Sequence, residues 1–493
     1  MTVAHESADY LEDIVPSDQR ESPTRMTLIW VTFIASVSNM YSGYLARADG
    51  LSLGQVMLAI GIGIVIVMAY GYCAANLGSA TGQAHSVLTR GILGRWGSGL
   101  ASVLLLITGL GWYGFQAYFL AQLLQGLFGI GHLAVYSAAF AMVMVLNNLL
   151  GFRGVAKFAR MVAAPLLLVW GVYTVIKAFG SASGPQLFAS PHIPVTAGIL
   201  VTVTLLVGSA IYGNEPDVFR YARRDHTRHT VPLLIGYAMG IGIFPIAGYL
   251  MAELSDASSL GDTIQFFVHF SLFGLTGLAV VVFVVNQVAL NDANLYEAVN
   301  AIQNVTSGRY RTATVLILGL IGAIIAVEMN TLDNNFFIVA NITAVCLPCA
   351  TLVMAVDLWL LTPISGVSRP VGPDGAPRAI VAWANSSPAN IAGVVAILGG
   401  LAVGGLTGGL IPGLSGFNHT NIGIPALQGW ATAVVLYVIG LYVARRLASD
   451  RQRAVLLGLP RETESPIDGE APALAVPAFA AEARQPTQSS TGT

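Results

Sequence analysis

Two stretches interrupt otherwise apolar segments of this chain, "ASVSNMYSG" at residues 35–43 and "GSAIYGNEP" at residues 208–216. Each places Gly, Ser and Asn where a run of apolar residues should continue as a helix through lipid. Lipid offers no water to a free backbone N–H or C=O, so a helix opens at membrane depth only where the opened backbone is buried in protein or lines a cavity. Small residues also occur where helices pack closely, and that accounts for one such stretch. Two, each in the first helix of a five-helix block, point instead to paired discontinuous helices around a midplane binding site.

The composition supports a membrane reading. Of 493 residues, 55% are hydrophobic and only 10% are charged, against about 25% charged in an ordinary soluble chain. The mean hydropathy is +0.70. A net charge of −2 gives no reason to expect a nucleic-acid partner. Cys73, Cys346 and Cys349 all fall in apolar segments, and the "CLPC" at 346–349 lacks the βαβ context of a redox motif. The polar, acidic N-terminus is not patterned as a cleavable signal peptide.

Apolar spans of about 20 residues suffice to cross a bilayer. Twelve are expected, near 27–46, 53–77, 98–127, 133–150, 160–180, 195–213, 231–254, 270–300, 312–330, 335–360, 388–411 and 424–444. The domain reading is a cytoplasmic tail over 1–26, a transporter domain over 27–445 and a disordered cytoplasmic tail over 446–493. Within the domain, five-helix blocks run about 27–180 and 195–360, and extra helices about 388–444. Loops after even-numbered spans carry Arg90, Arg95, Arg153, Lys157, Arg160, Arg220, Arg223, Arg224, Arg228, Arg309, Arg311, Arg369 and Arg378, whereas the other side carries Arg47 and Lys177. This asymmetry places both termini in the cytoplasm of a multi-pass protein of the cell membrane.

The third span contains "GLGWYGFQAYF", residues 109–119, with Trp112 and Gln116 four apart on one face. An indole is a flat platform and a glutamine amide both donates and accepts hydrogen bonds. Together they suit a planar, hydrogen-bonding heterocycle. In the eighth span, "GLAVVVFVV" runs straight into "NQVALNDANLY", residues 286–296. Gln287, Asn291 and Asn294 form one polar stripe and Asp292 points about 100° away from Asn291. One amide in a membrane helix can be interhelical glue; a stripe beside a carboxyl marks a site or pathway.

Weaker candidates follow. Asp217 and Arg220 in "YGNEPDVFRYARR" (212–224) are spaced to pair at a cytoplasmic mouth. The connector "TGQAHSVLTRGILGRWGSG" (81–99) reads equally as a surface helix or a gate. Glu328 and Asp357 sit near span ends, where a carboxyl can snorkel to the interface. His269 and the histidines of 226–229 have no metal-ligand spacing, and no cofactor or metal is expected.

These residues together resemble the nucleobase–cation symporter family one, which includes cytosine and purine permeases and hydantoin transporters. The resemblance runs from about residue 27 to 445. It is carried by Arg90, Gly94 and Gly97 after span 2, by Trp112 and Gln116, by "NEPDVFRYAR" at 214–223 and by "NDANLY" at 291–296. It implies an all-α membrane protein of leucine-transporter type, with two inverted five-helix repeats, ten spans in all, and two added C-terminal helices. The ring would lie between Trp112 and the broken part of span 6, around Gly208, Ser209 and Tyr212. Gln116, Asn291 and Asn294 would read its polar edge, and the span 1 break, including Ser36, Ser38 and Asn39, would complete the site.

Two departures stand out. Hydantoin-type members place an aromatic in the span 6 break, where this chain has Gly208 and Ser209, with Tyr212 the nearest substitute. Sodium-coupled members carry hydroxyl residues before the span 8 asparagine, where this chain has Val288, Ala289 and Leu290. The expectation is therefore proton coupling in preference to sodium, with Asp292 as first carrier and Glu328 as second, since a carboxyl placed in the membrane can bind and release a proton. The implied function is import of cytosine, a purine or a similar planar ring by cation symport, by a protein working as a monomer, without enzymatic chemistry. Alternatives are a related ring (hydantoin, allantoin or a thiamine-type pyrimidine) or an amino-acid or organic-cation transporter sharing only the fold. An enzyme or a channel fits less well, for want of a nucleophile–base or metal cluster and of pore-lining repeats.

Overall fold

The computed structural model describes residues 14–15, 19–149, 164–182, 194–223, 229–256, 259–306, 310–332, 335–369, 386–411, 413–414, 423–447 and 449–459. Arg153, Lys157, Arg160, Arg224, His226, Arg228, Arg309, Arg378 and most of both expected tails lie outside them. Among the described residues the chain is helical, with one isolated parallel bridge between Glu21 and Ala222.

The first interrupted segment is α1 (Pro23–Ile34) and α2 (Val37–Ala48). Then come α3 (Leu53–Thr81), α4 (His85–Phe128), α5 (Leu133–Asn148) and α6 (Ala164–Ser181). The second interrupted segment is α7 (Val195–Ala210) and the short α8 (Glu215–Phe219). After it follow α9 (Thr230–Ser255), α10 (Leu260–Ser271), α11 (Thr276–Thr306), α12 (Arg311–Glu328) and α13 (Asn335–Ser365). The chain closes with α14 (Ile391–Thr407), α15 (Pro425–Arg446) and α16 (Asp450–Leu457). Seven of these, α3, α4, α9, α11, α12, α13 and α15, are individually long and apolar enough to span a bilayer.

The burial pattern is that of a multi-pass membrane protein. Val65 and Val169 are 70% and 73% exposed on outer faces, whereas Asn291 and Asp292 are fully buried. Apolar side chains turned outward around a polar interior reverse the arrangement of a soluble globule and suit lipid as the surrounding solvent.

Both breaks fall inside the two quoted stretches, and side chains satisfy backbone groups that they release. Ala35 and Ser36 are extended, and Ser36 Oγ accepts from the Ser38 N–H at 3.1 Å to start α2. Asn286 on α11 donates to Ala35 O (2.9 Å) and accepts from the Val37 N–H (2.7 Å). Asn39 donates to Ile34 O (2.9 Å) and Gly240 O (3.1 Å), and the Tyr212 hydroxyl donates to Phe33 O. Gly240 lies in a π-helical turn of α9 (Ala238–Ile243), so the carbonyl displaced there is answered by the first break.

In the second break Gly213 holds φ +81°, and a Cβ there would sit 2.8 Å from Leu347 Cβ, which restricts the position to glycine. Its carbonyl accepts from Thr351 Oγ1 at 3.1 Å. Glycine also lets helices meet backbone to backbone: a Cβ on Gly109 would lie 2.9 Å from Asn294 O, so α4 and α11 run in direct contact.

Gly94, at φ +72° and packed on Ala389, kinks α4 into a leading piece and the spanning piece. The leading piece corrects one expectation. It is not a surface helix, for His85 and Arg90 are buried, and Arg90 binds Asn304 through its side-chain and main-chain oxygens at 2.5 and 2.6 Å.

Two further expectations change. Asp357 does not snorkel: it is buried in a two-point ion pair with Arg369 (2.5 and 2.9 Å), and the Tyr437 hydroxyl donates to it. The tail expected from residue 446 begins with α16, whose Leu457 is buried and whose Leu457 carbonyl accepts from Arg369 at 3.1 Å. An anchored cation and one apolar contact give structure to a segment that has no hydrophobic periodicity of its own.

Candidate functional site

The two breaks and the facing stretches of α4 and α11 border a small cavity. Ser36, Asn39, Trp112, Gln116, Ser209, Ile211, Tyr212, Leu290 and Asn294 line it. Seven residues expected from sequence thus meet at one place: Trp112, Gln116, Asn294, Ser209, Tyr212, Ser36 and Asn39. They come from four separate segments of the chain, joined only by the fold.

The Trp112 ring is held rigidly. Its Nε1 donates to Thr343 Oγ1 at 2.8 Å, and it meets Phe115 and Phe336 edge-on with centroids 5.7 and 5.9 Å away. One turn later Gln116 donates to Ser38 Oγ at 3.0 Å while its own Oε1, buried at the cavity, has no hydrogen-bond partner. A buried acceptor without a partner costs free energy. It is well placed to receive a donor from a bound molecule.

Three expected ligands stand behind the wall instead. Asn291 donates to Tyr113 O (3.0 Å) and Met144 Sδ (2.9 Å) and accepts from Asn294 (3.0 Å), so it positions Asn294. Ser38 bonds to Ser36 and Gln116 and orients the latter. Gly208 abuts the Ala340 backbone so closely that no side chain fits, which makes it a packing position between α7 and α13. Periodicity placed these residues on the right faces; it could not tell the wall from its support.

The acidic candidates separate as well. Asp292 is buried on the α5 side of α11, accepting from Asn148 Nδ2 at 3.3 Å, and does not line the cavity. Glu328 is exposed at the end of α12, outside the buried interior. Asp217 is buried at the start of α4, where Oδ1 accepts the His85 N–H at 2.5 Å and Oδ2 accepts from Asn300 at 3.2 Å. Buried Arg220 lies against the Tyr221 ring at 5.0 Å, with 3.2 Å to its hydroxyl. The pair expected at a mouth therefore sits inside the protein.

Two residues have places in the site that the sequence does not assign. Asn286 braces the first break, and Glu297 lies buried one turn beyond Asn294. The signal was present: Glu297, Asn300 and Asn304 continue the polar stripe of α11 past Tyr296, at spacings of three and four.

A membrane protein whose buried polar residues gather around two interrupted helices has the architecture of a secondary transporter. The family model described as a permease for cytosine/purines, uracil, thiamine and allantoin matches residues 14–369, and the chain belongs to that family, the nucleobase–cation symporters. It is 25% identical over 324 residues to the cytosine permease of Escherichia coli (strain K12), covering 65% of this chain and 74% of that one. Among solved structures it resembles Mhp1, a nucleobase-cation-symport-1 family transporter in a closed conformation with bromovinylhydantoin bound, at a TM-score of 0.69 and 17% identity, over 90% of this chain and 98% of that one. A Na⁺-coupled sialic acid symporter in a substrate-bound outward-open state shares the fold at a TM-score of 0.60 and 12% identity, over 89% and 93%. Such different cargoes on one fold mean that the substrate must be argued from the site.

Proposed function

We propose that the protein imports a nucleobase, cytosine or a purine, or a closely similar planar heterocycle by symport with a cation, a proton in preference to sodium. The observation that carries this reading is the cavity where a fixed indole, an unpartnered glutamine oxygen and an asparagine meet. A polar ring leaving water gives up its hydrogen bonds, and the site must replace them. Trp112 supplies the stacking face, Gln116 Oε1 accepts from a ring N–H or amino group, and Asn294, Asn39 and Ser209 supply further polar contacts. Tyr212 lines the cavity from the second break. Membership of a family described by cytosine, purine, uracil and allantoin transport supports the same chemistry.

Proton coupling is favoured by what surrounds the first break. A sodium ion needs several oxygen ligands, and Val288, Ala289 and Leu290 bring no side-chain oxygen. Asn286, the amide bound to the first break, already answers the released Ala35 carbonyl and Val37 N–H. In this reading the chain forms twelve spans, two inverted five-helix repeats and two added helices, working as a monomer in the cytoplasmic membrane with both termini inside. Alternating access exposes the cavity to each side in turn, with the two short, broken segments as moving parts.

The test is uptake of labelled cytosine, adenine, hypoxanthine, uracil and allantoin into proteoliposomes under separately imposed proton and Na⁺ gradients. Accumulation of at least one of them under a proton gradient supports the proposal. Accumulation driven by Na⁺ at fixed pH, and not by protons, refutes the choice of ion.

A further inference from the structure

One turn further along α11 lies a second small cavity, lined by polar groups that include His85, Asn214, Asp217, Glu297 and Asn300. Glu297 and His85 are each only 2% exposed; Glu297 Oε1 and both ring nitrogens of His85 have no hydrogen-bond partner. The neighbouring acids are already engaged. Asp217 accepts from the His85 N–H and Asn300, while Glu215 accepts from the Tyr212 N–H (2.9 Å) and the Tyr70 hydroxyl (2.7 Å).

The charge balance of this cluster is the central point. Glu215 and Asp217 both act electrostatically on Glu297, as Glu297 does on Tyr212. The titratable groups around Glu297 are thus His85, Asp217, Glu215 and Tyr212, with Tyr70 beyond Glu215 and Arg90 held by Asn304 further along α11. A carboxylate taken out of water beside two more acids is stable only if positive charge enters with it. A metal cation would need several free oxygens, and the oxygens of Glu215 and Asp217 are committed. A proton needs one, which Glu297 Oε1 offers.

The cavity is also mechanically joined to the substrate site. Asn294 lines the first cavity and Glu297 the second, three residues apart on one helix. Ile211 and Tyr212 line the first and Asn214 and Asp217 the second, so the break between α7 and α8 is the wall between them. Charge at Glu297 acts on the same backbone that would contact the substrate.

We propose that Glu297 is the proton-binding group of the transport cycle, with His85, which lines the same cavity, as its proton-exchange partner. The step moves one proton from the His85 imidazolium to Glu297 Oε1, leaving a neutral imidazole and a neutral acid, and its reverse discharges the site. This rests on the cation-coupled reading above and replaces Asp292 as carrier.

The experiment is a pH-difference infrared spectrum of the purified, reconstituted full chain, which requires no substrate. Wild type should show a protonated-carboxyl band that converts to carboxylate as pH rises. The band should persist in Asp292→Asn and be lost in Glu297→Gln, and His85→Gln should keep it but slow its response to a pH jump. A band that persists in Glu297→Gln overturns the assignment, as does one that Na⁺ rather than pH abolishes. Should Glu297→Gln not elute as a single species, Glu297→Asp gives the same answer: the band must shift in frequency, and an unshifted band overturns it. Failure of a proton gradient to drive uptake in wild type would defeat the coupling reading separately, leaving the infrared result standing.

Discussion

Asn286 of α11 bridges the first helix break with both ends of its amide, donating to Ala35 O at 2.9 Å and accepting from the Val37 N–H at 2.7 Å. Residues 249 and 251 positions apart in sequence are thereby locked together at the point where backbone would otherwise be left unpaired. Asn286→Leu removes both partners and leaves a buried donor and a buried acceptor open, each costing about 1–3 kcal/mol. The expected result is a clear fall in melting temperature in detergent, followed by intrinsic tryptophan fluorescence. An unchanged melting temperature would mean that the break is held by other contacts.

Gln116 offers the contrasting case. Its Oε1 has no partner in the protein and its Nε2 donates to Ser38 Oγ, which Ser36 also bonds, so its loss should cost only about 1 kcal/mol of stability. Gln116→Leu should weaken binding of the transported ring by about tenfold or more, the equivalent of one buried hydrogen bond of about 1.4 kcal/mol. Equilibrium binding of labelled substrate beside a thermal melt separates the two effects. A large melting shift with unaltered affinity would place Gln116 in the scaffold instead.

Gly208 is expected to behave as a packing residue. A Cβ there meets the Ala340 backbone, and neither main chain can yield without moving α7 away from α13. Gly208→Val should therefore cost about 1–3 kcal/mol through overpacking and lower the yield of folded protein whether or not substrate is present. Full stability with lost affinity would restore the residue to the substrate wall.

The Asp357–Arg369 pair should anchor the last helices. Removing one member of a buried ion pair strands the other, at about 3–5 kcal/mol. Arg369 also donates to Gly91 O, Ile92 O and Leu457 O, so Arg369→Ala should loosen α16 from the kinked start of α4. Limited proteolysis near residues 447–459, faster in the variant, would show it; identical cleavage would argue against an anchor.

What the sequence disclosed and what it hid have physical causes. The two breaks were legible because Gly, Ser and Asn in an apolar run conflict with the demands of lipid, and that conflict is local. Trp112 and Gln116 were legible because helical spacing puts them on one face of α4, and Asn294 because it belongs to the polar stripe of α11. Asn291 and Ser38 differ from their neighbours only in which helix stands opposite, and that is set by long-range packing. Glu297 stands out only as part of a polar stripe that continues past Tyr296 to Asn300 and Asn304, and its burial is set by the segments packed on it. Asp357 and α16 were misread because their partner, Arg369, approaches from a loop whose course no periodicity reveals.

The most direct test of the central claim is uptake by wild type and Trp112→Ala in proteoliposomes, offered labelled cytosine, adenine, hypoxanthine, uracil and allantoin under an inward proton gradient. Accumulation of at least one ring by wild type, abolished in a Trp112→Ala protein that remains folded and inserted, is the predicted result. Equal accumulation by both proteins, or none of these rings carried by wild type, would contradict it.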